Sequence, residues 1–333
     1  MISSNLRELG ETGLEVSRIG LGLAALARPG YINLGHGDDL KHNYDIDVMQ
    51  EHTNTVLDCA LKHGVRYFDL ARSYGLSEAF LSAWLKSRSL AIGDLTIGSK
   101  WGYTYTAGWE VKAKIHELKE HSIENLNKQY NETIGLLGKH LNIYQIHSAT
   151  LQSKVLENEA VLDRLSELKN QGLFIGLSSS GAKQSETIEQ ALRIEYAGKK
   201  LFDTVQSSYN MLEPSASKSL KLAKSEGLGV IIKEALANGR LTTRNHAPAF
   251  ADKLKSLKQQ AMRLGTTVDA LAIAYVLQQP WVDTVLSGAA TVEQLESNMM
   301  ALDVEIDDIA LNALNIAEAP ELYWSIRSNM IWN

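Results

Sequence analysis

Four ionisable side chains follow three consecutive apolar segments of the chain. Asp69 ends the first segment and Tyr74 follows it, while Lys100 and His147 end the second and third. A phenol has an unperturbed pKa of about 10, and a nearby ammonium favours its charged form. We predict that Asp69 holds Lys100 charged, that Lys100 lowers the pKa of Tyr74, and that neutral His147 polarises a substrate carbonyl. These residues predict proton exchange with a carbonyl or alcohol, with the hydride carried by a cofactor because no side chain supplies one.

The elements that must position these residues follow from an alternation of short apolar and longer amphipathic segments. The predicted strands are Ser17–Leu23, Val65–Asp69, Leu95–Lys100, Ile143–His147, Phe174–Ser178, Thr204–Ser207, Gly229–Ile232 and Thr284–Ser287. Helical patterns between them include Thr53–His63, Leu156–Gln171, Ser217–Glu226 and Val268–Gln279. Eight strands alternating with helices predict a parallel, eight-stranded (β/α)8 TIM barrel, whose functional groups meet at the carboxyl ends of the strands.

The remaining segments are interpreted as additions to one barrel domain that spans residues 1–333. Leu6–Val16 predicts an N-terminal β-hairpin that closes the barrel floor, with its turn at Glu11, Thr12 and Gly13. Residues 28–43 predict a loop insertion near the active-site face. The aromatic C-terminal tail, residues 318–333, is expected to pack against the outer helices or a partner subunit, in preference to the barrel mouth.

Composition excludes several function classes. The net charge is −6 and no block is dense in Lys or Arg, so neither nucleic acid nor an anionic membrane is an expected partner. Cys59 is the single cysteine, which rules out a disulfide within the chain and fits a reducing, cytoplasmic location. No secretory signal or transmembrane run is predicted. The pattern leaves the oligomeric state open.

Four segments resemble the aldo-keto reductase family. Tyr67–Glu78 is similar to the family's F-D-T-A-x-x-Y-G-x-S-E signature, with Leu70 at the usual Thr position. Thr96–Lys100 and Ile143–His147 resemble the strands that carry its catalytic lysine and histidine, and Val205–Asn210 resembles V-Q-x-x-Y-N. The resemblance extends from Leu6 to about Leu302 and implies hydride transfer between a nicotinamide cofactor and an aldehyde, ketone or sugar.

The resemblance also implies roles for individual residues. Tyr74 would be the general acid in reduction and the base in oxidation, tuned by Asp69 and Lys100, with His147 orienting the substrate. Together with Tyr74 and His147, the residues Trp101, Tyr103, Tyr105 and Trp109 predict a partly aromatic substrate pocket. The implied cofactor contacts are Gly22, Leu23, Asp69, Ser178, Ser179, Gln206, Lys233, Glu234, Leu236, Asn238, Gly239, Arg244, Ser287, Gly288, Ala289, Ala290, Gln294 and Asn298. No metal is predicted at the site.

Three departures from the family pattern concern the cofactor. Ser179 replaces a common Asn, and Lys233 stands where many members have a ring that stacks on the nicotinamide. The segment Ser287–Gln294 contains no Lys or Arg, the residues that often hold a 2′-phosphate. The resemblance favours NADP(H), while the absence of a Lys or Arg from this segment leaves NAD(H) open.

Two other functions are compatible with the same barrel. A non-enzymatic nicotinamide-binding regulatory subunit of the potassium-channel β type would keep the cofactor residues without physiological turnover. A lyase would use Lys100 as a Schiff-base nucleophile, although an ion pair with Asp69 opposes this by keeping the amine protonated.

Overall fold

A computed structural model describes residues 6–333 as a closed eight-stranded parallel barrel with additional short strands. The strands are β1 (Leu6–Glu8), β2 (Glu15–Ser17), β3 (Ile19–Gly22), β4 (Tyr67–Asp69), β5 (Thr96–Trp101), β6 (Tyr103–Tyr105), β7 (Glu117–Lys119), β8 (Ile143–Ala149), β9 (Phe174–Ser179), β10 (Glu195–Tyr196), β11 (Lys199–Lys200), β12 (Thr204–Ser208), β13 (Gly229–Lys233) and β14 (Thr284–Ser287). The barrel runs β3-β4-β5-β8-β9-β12-β13-β14 and closes where β14 pairs with β3. This confirms the predicted TIM barrel.

Helices surround the barrel and follow its strands. They are α1 (His36–Asp39), α2 (Ile46–Lys62), α3 (Ser77–Ser87), α4 (Ile123–Leu137), α5 (Glu159–Asn170), α6 (Gln184–Ala191), α7 (Ser217–Ser225), α8 (Ala251–Arg263), α9 (Val268–Leu277), α10 (Val292–Met299), α11 (Asp308–Ala313) and α12 (Pro320–Ser328). Helix α2 begins well before the predicted Thr53, because the Asp45 carboxylate caps it by accepting from the backbone N–H groups of Asp47 and Val48. Within residues 6–333, none of these helices has both the length and the apolar character needed to cross a bilayer.

The floor of the barrel is apolar and is closed by the β1–β2 hairpin. Leu9 and Val16 from the hairpin pack with Tyr67, Ile143 and Ile231 from the barrel interior. The backbone N–H of Glu11 donates to the carbonyl of Gly227 at 2.9 Å, which fixes the hairpin to the barrel. Since the floor is filled by these side chains, a ligand can enter only from the opposite mouth.

The mouth is covered by the loop after β3 and by the C-terminal tail. Tyr31 in the loop and Asn333 at the chain end exchange two backbone hydrogen bonds, both of 3.1 Å. The Trp332 ring stacks on His116, with centroids 4.0 Å apart. Our preference for a tail packed on the outer helices is therefore wrong for the end of the tail, because backbone pairing and stacking hold that end at the barrel mouth.

Candidate active site

A groove of about 530 Å³ opens at the carboxyl ends of the barrel strands, a size typical of small-molecule sites. Its wall includes Tyr74 and His147 in the part next to β4 and β8. It continues to Gln294 and Asn298 on α10, which packs outside the barrel beside α2 and α9. The groove therefore has two regions. The first lies around Tyr74 and His147, and the second, which we call the outer region, lies at Gln294 and Asn298.

The first region contains the four residues that the sequence predicts to exchange a proton. We call Asp69, Tyr74, Lys100 and His147 the proton-exchange cluster. The Lys100 ammonium contacts the Asp69 carboxylate and donates to the Leu70 carbonyl at 2.9 Å and to the Tyr74 hydroxyl at 3.4 Å. Asp69 also accepts a hydrogen bond of 2.7 Å from the Gln206 amide. Strands β4 and β5 are neighbours in register, so the turn after β4 brings Tyr74 over the end of β5.

The pKa of Tyr74 is raised well above 10, contrary to our prediction that Lys100 lowers it. Burial opposes the phenolate most strongly, the Asp69 carboxylate opposes it next, and Arg28 offsets only part of this. Lys100 is itself buried, and burial lowers its pKa although Asp69 opposes that shift. Tyr74 is therefore a neutral phenol near pH 7, in the form that can donate a proton.

His147 is neutral for similar reasons. Burial lowers its pKa well below 6.5, and the charges of Lys100 and Lys233 lower it further. Its ring lies edge to face with the Tyr74 ring, with centroids 5.4 Å apart. The His121 ring nitrogen donates to the His147 backbone carbonyl at 2.9 Å and fixes the end of β8. A neutral imidazole beside the phenol can donate a hydrogen bond to a substrate oxygen.

Charged residues that the sequence analysis did not identify surround Tyr74. Arg28 pairs with Glu117 and its guanidinium lies 5.2 Å from the centre of the Tyr74 ring. Arg327 in the tail donates to the Glu234 carboxylate at 2.7 Å. Arg28 lies in the loop after β3 and Glu117 begins β7, so only their position at the barrel mouth relates them to the site. Other wall residues that the sequence analysis did not name as site residues include Tyr31, Ser148, Ser180, Asp269, Glu293 and Trp332.

Most of the predicted cofactor residues line the groove. Those that do are Gly22, Asp69, Gln206, Lys233, Glu234, Leu236, Asn238, Gly239, Arg244, Ser287, Gly288, Ala289, Gln294 and Asn298. Lys233 donates to the Ser208 hydroxyl at 2.8 Å, and burial lowers its pKa to about 8. Burial opposes the charge of Glu234 as well, but Arg327 and Lys233 outweigh it and bring that pKa to about 2.

The other predicted residues lie behind the groove wall. Ser178 accepts a hydrogen bond of 2.8 Å from the Ser148 backbone, and Ser179 donates to Ser207 at 3.0 Å. Leu23 belongs to the apolar core, and Ala290 is buried where its carbonyl accepts from His52. Each of these groups is thus used within the protein.

The predicted aromatic wall is also only partly present. Trp101 is fully buried and packs edge to face on His121 behind the groove, because successive side chains of a strand alternate and Lys100 occupies the face toward the site; β5 then ends, and Gly102 with φ 109° redirects the chain before Tyr103. Tyr103, two residues on, lines the groove, whereas Tyr105 and Trp109 do not. The aromatic residues at the substrate region are instead Tyr31, Tyr74, Tyr103 and Trp332.

The groove wall fits a long polar ligand such as a dinucleotide. The Asn238 side-chain oxygen is buried in this wall without a hydrogen-bond partner among residues 6–333. At Gly288, which also lines the groove, a Cβ would meet no described protein atom within 4 Å. An unused buried acceptor and an open stretch of wall are features that a bound ligand would satisfy and fill.

Lys100 is poorly placed for the lyase alternative. Its side chain is completely buried and its ammonium contacts the Asp69 carboxylate. A Schiff base requires a neutral and accessible amine. The Asp69 pair and the burial therefore oppose covalent catalysis by Lys100.

The chain is similar to known proteins over nearly its whole length. The chain is 24% identical to the L-galactose dehydrogenase of Arabidopsis thaliana, over 100% of this chain and 98% of that protein. It is 25% identical to the NADH-specific methylglyoxal reductase of Escherichia coli K12, over 94% and 98% of the two chains. The fold is similar to the holo form of the aldo-keto reductase AKR11C1 from Bacillus halodurans, with a TM-score of 0.71, 21% identity and coverage of 95% and 97%.

The assignment to a family depends on the match to a family model. The model of the aldo/keto reductase family matches residues 30–319, which include all four residues of the proton-exchange cluster and the strands that carry them. The family consists of oxidoreductases that use nicotinamide cofactors. This chain belongs to the aldo/keto reductase family.

Proposed function

We propose that the protein interconverts a small, oxygen-rich carbonyl compound and its alcohol, with Asp69, Tyr74, Lys100 and His147 as its catalytic residues. The observation that carries this proposal is the buried contact of the Lys100 ammonium with both Asp69 and the Tyr74 hydroxyl, directly beside His147. These groups line or support a groove open at the barrel mouth.

Each residue has a defined task in this proposal. In reduction, the Tyr74 hydroxyl donates its proton to the carbonyl oxygen of the substrate, and in oxidation it accepts that proton. Lys100 compensates the negative charge on the Tyr74 oxygen after proton donation, and Asp69 keeps Lys100 in place. Neutral His147 donates a hydrogen bond to the same substrate oxygen and favours the developing negative charge.

The groove continues from the cluster along residues that suit a dinucleotide. Asn238, Gly288, Gln294 and Asn298 would hold the cofactor, whose nicotinamide carries hydride to or from the substrate carbon when bound. The family resemblance alone favours NADP(H), whereas one relative is named as NADH-specific. The residues at the outer region of the groove favour NAD(H).

The substrate class follows from the wall around Tyr74. Aromatic faces from Tyr31, Tyr103 and Trp332 alternate with the ion pairs Arg28–Glu117 and Arg327–Glu234. Hydrogen bonds to charged groups contribute about 1.5–3 kcal/mol each, so hydroxyl groups on the substrate are favoured over methylenes. The named substrates of the relatives, galactose, glyceraldehyde 3-phosphate and methylglyoxal, are also small and rich in oxygen.

A steady-state screen tests the proposed function. We expect kcat/KM for reduction of hydroxylated aldehydes, or for oxidation of aldoses, to exceed that for hexanal and hexanol by at least about tenfold, the value of one charged hydrogen bond. Equal or better activity with the apolar compounds would contradict the substrate class. Tight dinucleotide binding without turnover of any compound would favour the regulatory-subunit alternative.

The pH dependence of turnover is a second prediction. The pKa of His147 lies well below 6.5 and that of Tyr74 well above 10, so between these values His147 is neutral and Tyr74 protonated. Reduction needs that form, and its kcat/KM is expected to be flat from about pH 7 to 9.5. Oxidation needs the phenolate, and its kcat/KM is expected to rise about tenfold per pH unit across the same range.

The control for the pH profile is Lys233→Met. The Lys233 ammonium lines the groove and its pKa is about 8, so it can add an inflection of its own. An inflection near pH 8 that disappears in this variant belongs to Lys233. An inflection in the reduction profile that persists would show that Tyr74 or His147 titrates in this range, and the proposed protonation states would be wrong.

A further inference from the structure

The outer region of the groove is bridged by a buried carboxylate from a distant part of the chain. Arg244, in the loop after β13, donates to both oxygens of Asp39 on α1, at 2.7 and 2.5 Å. The Gln294 amide on α10 donates to the same carboxylate at 2.8 Å. We call Asp39, Arg244 and Gln294 the Asp39 clasp. It joins α1 to two elements that each lie more than two hundred residues further along the chain.

The clasp lies at the region that receives the adenosine half of the cofactor. The nicotinamide must approach the substrate carbon beside Tyr74 and His147, so the other half of the dinucleotide extends along the groove away from them. That part of the groove is lined by Arg244, Asp269, Gly288, Glu293, Gln294 and Asn298.

The charges of this region oppose an additional phosphate. Asp269 and Glu293 line the groove, and Asp39 stands directly behind Arg244 and Gln294. Arg244 is the cation that lines this region of the groove, and its guanidinium is already paired with Asp39 and donates to the Leu34 and Gly35 carbonyls. A phosphate monoester carries about −1.5 to −2 charges near pH 7, so it would meet like charges, and the described residues that line this region offer it no unpaired arginine or lysine.

The 2′-hydroxyl of an unphosphorylated ribose suits this region, whereas a 2′-phosphate does not. A neutral hydroxyl is not repelled by the carboxylates of this region, and it can donate to Asp269 or Glu293, which line the groove. A carboxylate that accepts from the 2′-hydroxyl is a general device for binding NAD, as an arginine is for NADP. The Gln294 carbonyl oxygen, which accepts from the Ala290 N–H at 2.8 Å, fixes the amide so that its donor points at Asp39.

We infer that Asp39 makes the groove select NAD(H) over NADP(H), both by withholding Arg244 from a 2′-phosphate and by repelling that phosphate. This inference rests on the proposed function, since it presupposes that a nicotinamide dinucleotide occupies the groove. Asp39 acts on cofactor choice and has no part in proton transfer, which takes place at Tyr74.

Equilibrium binding tests the inference without turnover. NADH, NADPH, AMP and adenosine 2′,5′-bisphosphate are titrated into the wild-type protein by isothermal calorimetry. We expect Kd for NADH to be at least about tenfold below that for NADPH, with the same direction for the two adenosine probes, because like charges are placed together. Equal Kd values, or tighter NADPH binding, would overturn the inference.

One variant and its matched control test whether Asp39 causes the cofactor preference. Asp39→Asn keeps the size of the side chain and is expected to lower the NADPH-to-NADH ratio of Kd values by about tenfold. The matched control is Asp38→Asn, which removes an exposed neighbouring charge and is expected to leave that ratio within about twofold. Equal ratios in the two variants would contradict the role of Asp39.

Gln294→Arg tests the same inference if Asp39→Asn does not fold. It places a second guanidinium in the groove wall, and since the single charge of Asp39 cannot neutralise both this group and Arg244, NADPH binding is expected to tighten by about tenfold. Unchanged NADPH binding in this variant would count against the inference. A wild-type protein that binds neither dinucleotide would instead contradict the proposed function itself, and the inference with it.

Discussion

Tyr74→Phe is expected to lower kcat by about 10²- to 10⁴-fold, the range in which positioned acid–base groups act, while Kd for the cofactor changes little. The substitution removes one hydroxyl that receives a hydrogen bond from Lys100 and leaves the ring against His147 and Arg28. The proton donor is lost, whereas the residues of the groove that hold a dinucleotide stay in place. Stopped-flow reduction under single-turnover conditions, together with a cofactor titration, measures the two effects separately.

The matched control for this variant is Tyr103→Phe. Tyr103 also lines the groove, its ring lies 4.9 Å from that of His147, and burial raises its pKa to about 12. Its hydroxyl does not contact Lys100 or Asp69, so we expect a change in kcat of less than about tenfold. Similar losses in both variants, or a loss of cofactor affinity in Tyr74→Phe, would show that Tyr74 has been assigned the wrong role.

Lys100→Met is expected to abolish measurable turnover and to destabilise the fold by about 3–5 kcal/mol, because it leaves the buried Asp69 carboxylate without its cation. Tyr74 then has no ammonium to compensate the charge that forms on its oxygen. Hydrogen bonds from Gln206 and Tyr67 to Asp69 remain and offset part of the cost. Urea unfolding and steady-state kinetics measure the two consequences.

The double variant Asp69→Asn/Lys100→Met separates stability from catalysis. It removes both charges of the pair, so much of the lost stability is expected to return while turnover stays absent. Recovery of turnover in the double variant would contradict the proposed role of Lys100 as an active-site cation. If Lys100→Met alone were as stable as the wild-type protein, the Lys100 ammonium would not be what stabilises the buried Asp69 carboxylate.

The sequence was sufficient to predict the barrel and the proton-exchange cluster. The alternation of strands and helices, together with the number of strands, specifies a closed parallel barrel, and the carboxyl ends of its strands must then meet at one mouth. Asp69, Lys100 and His147 are at or near such ends, so their convergence required no knowledge of contacts between distant segments. The same reasoning extended to Tyr74 because it follows β4 within a short turn.

The sequence pattern was less informative about which way a neighbouring side chain faces and about its surroundings. Trp101 lies at the end of β5, yet it points behind the groove while Tyr103 lines it. The direction of the Tyr74 pKa shift was also mispredicted, since the effect of burial and of Asp69 exceeds that of a nearby cation. Burial depends on every segment that covers the mouth, including Trp332 at the far end of the chain.

The sequence by itself determined the barrel, the strand ends and the candidate acid–base residues, because local periodicity sets where strands begin and end and barrel closure brings those ends together. Only the tertiary structure decided the surroundings of that cluster: the Tyr31–Asn333 pairing at the mouth, the ion pairs around Tyr74 and the Asp39 clasp. Each of these joins segments far apart in the chain. No local pattern encodes such contacts, since they depend on how the loops pack after the barrel has formed.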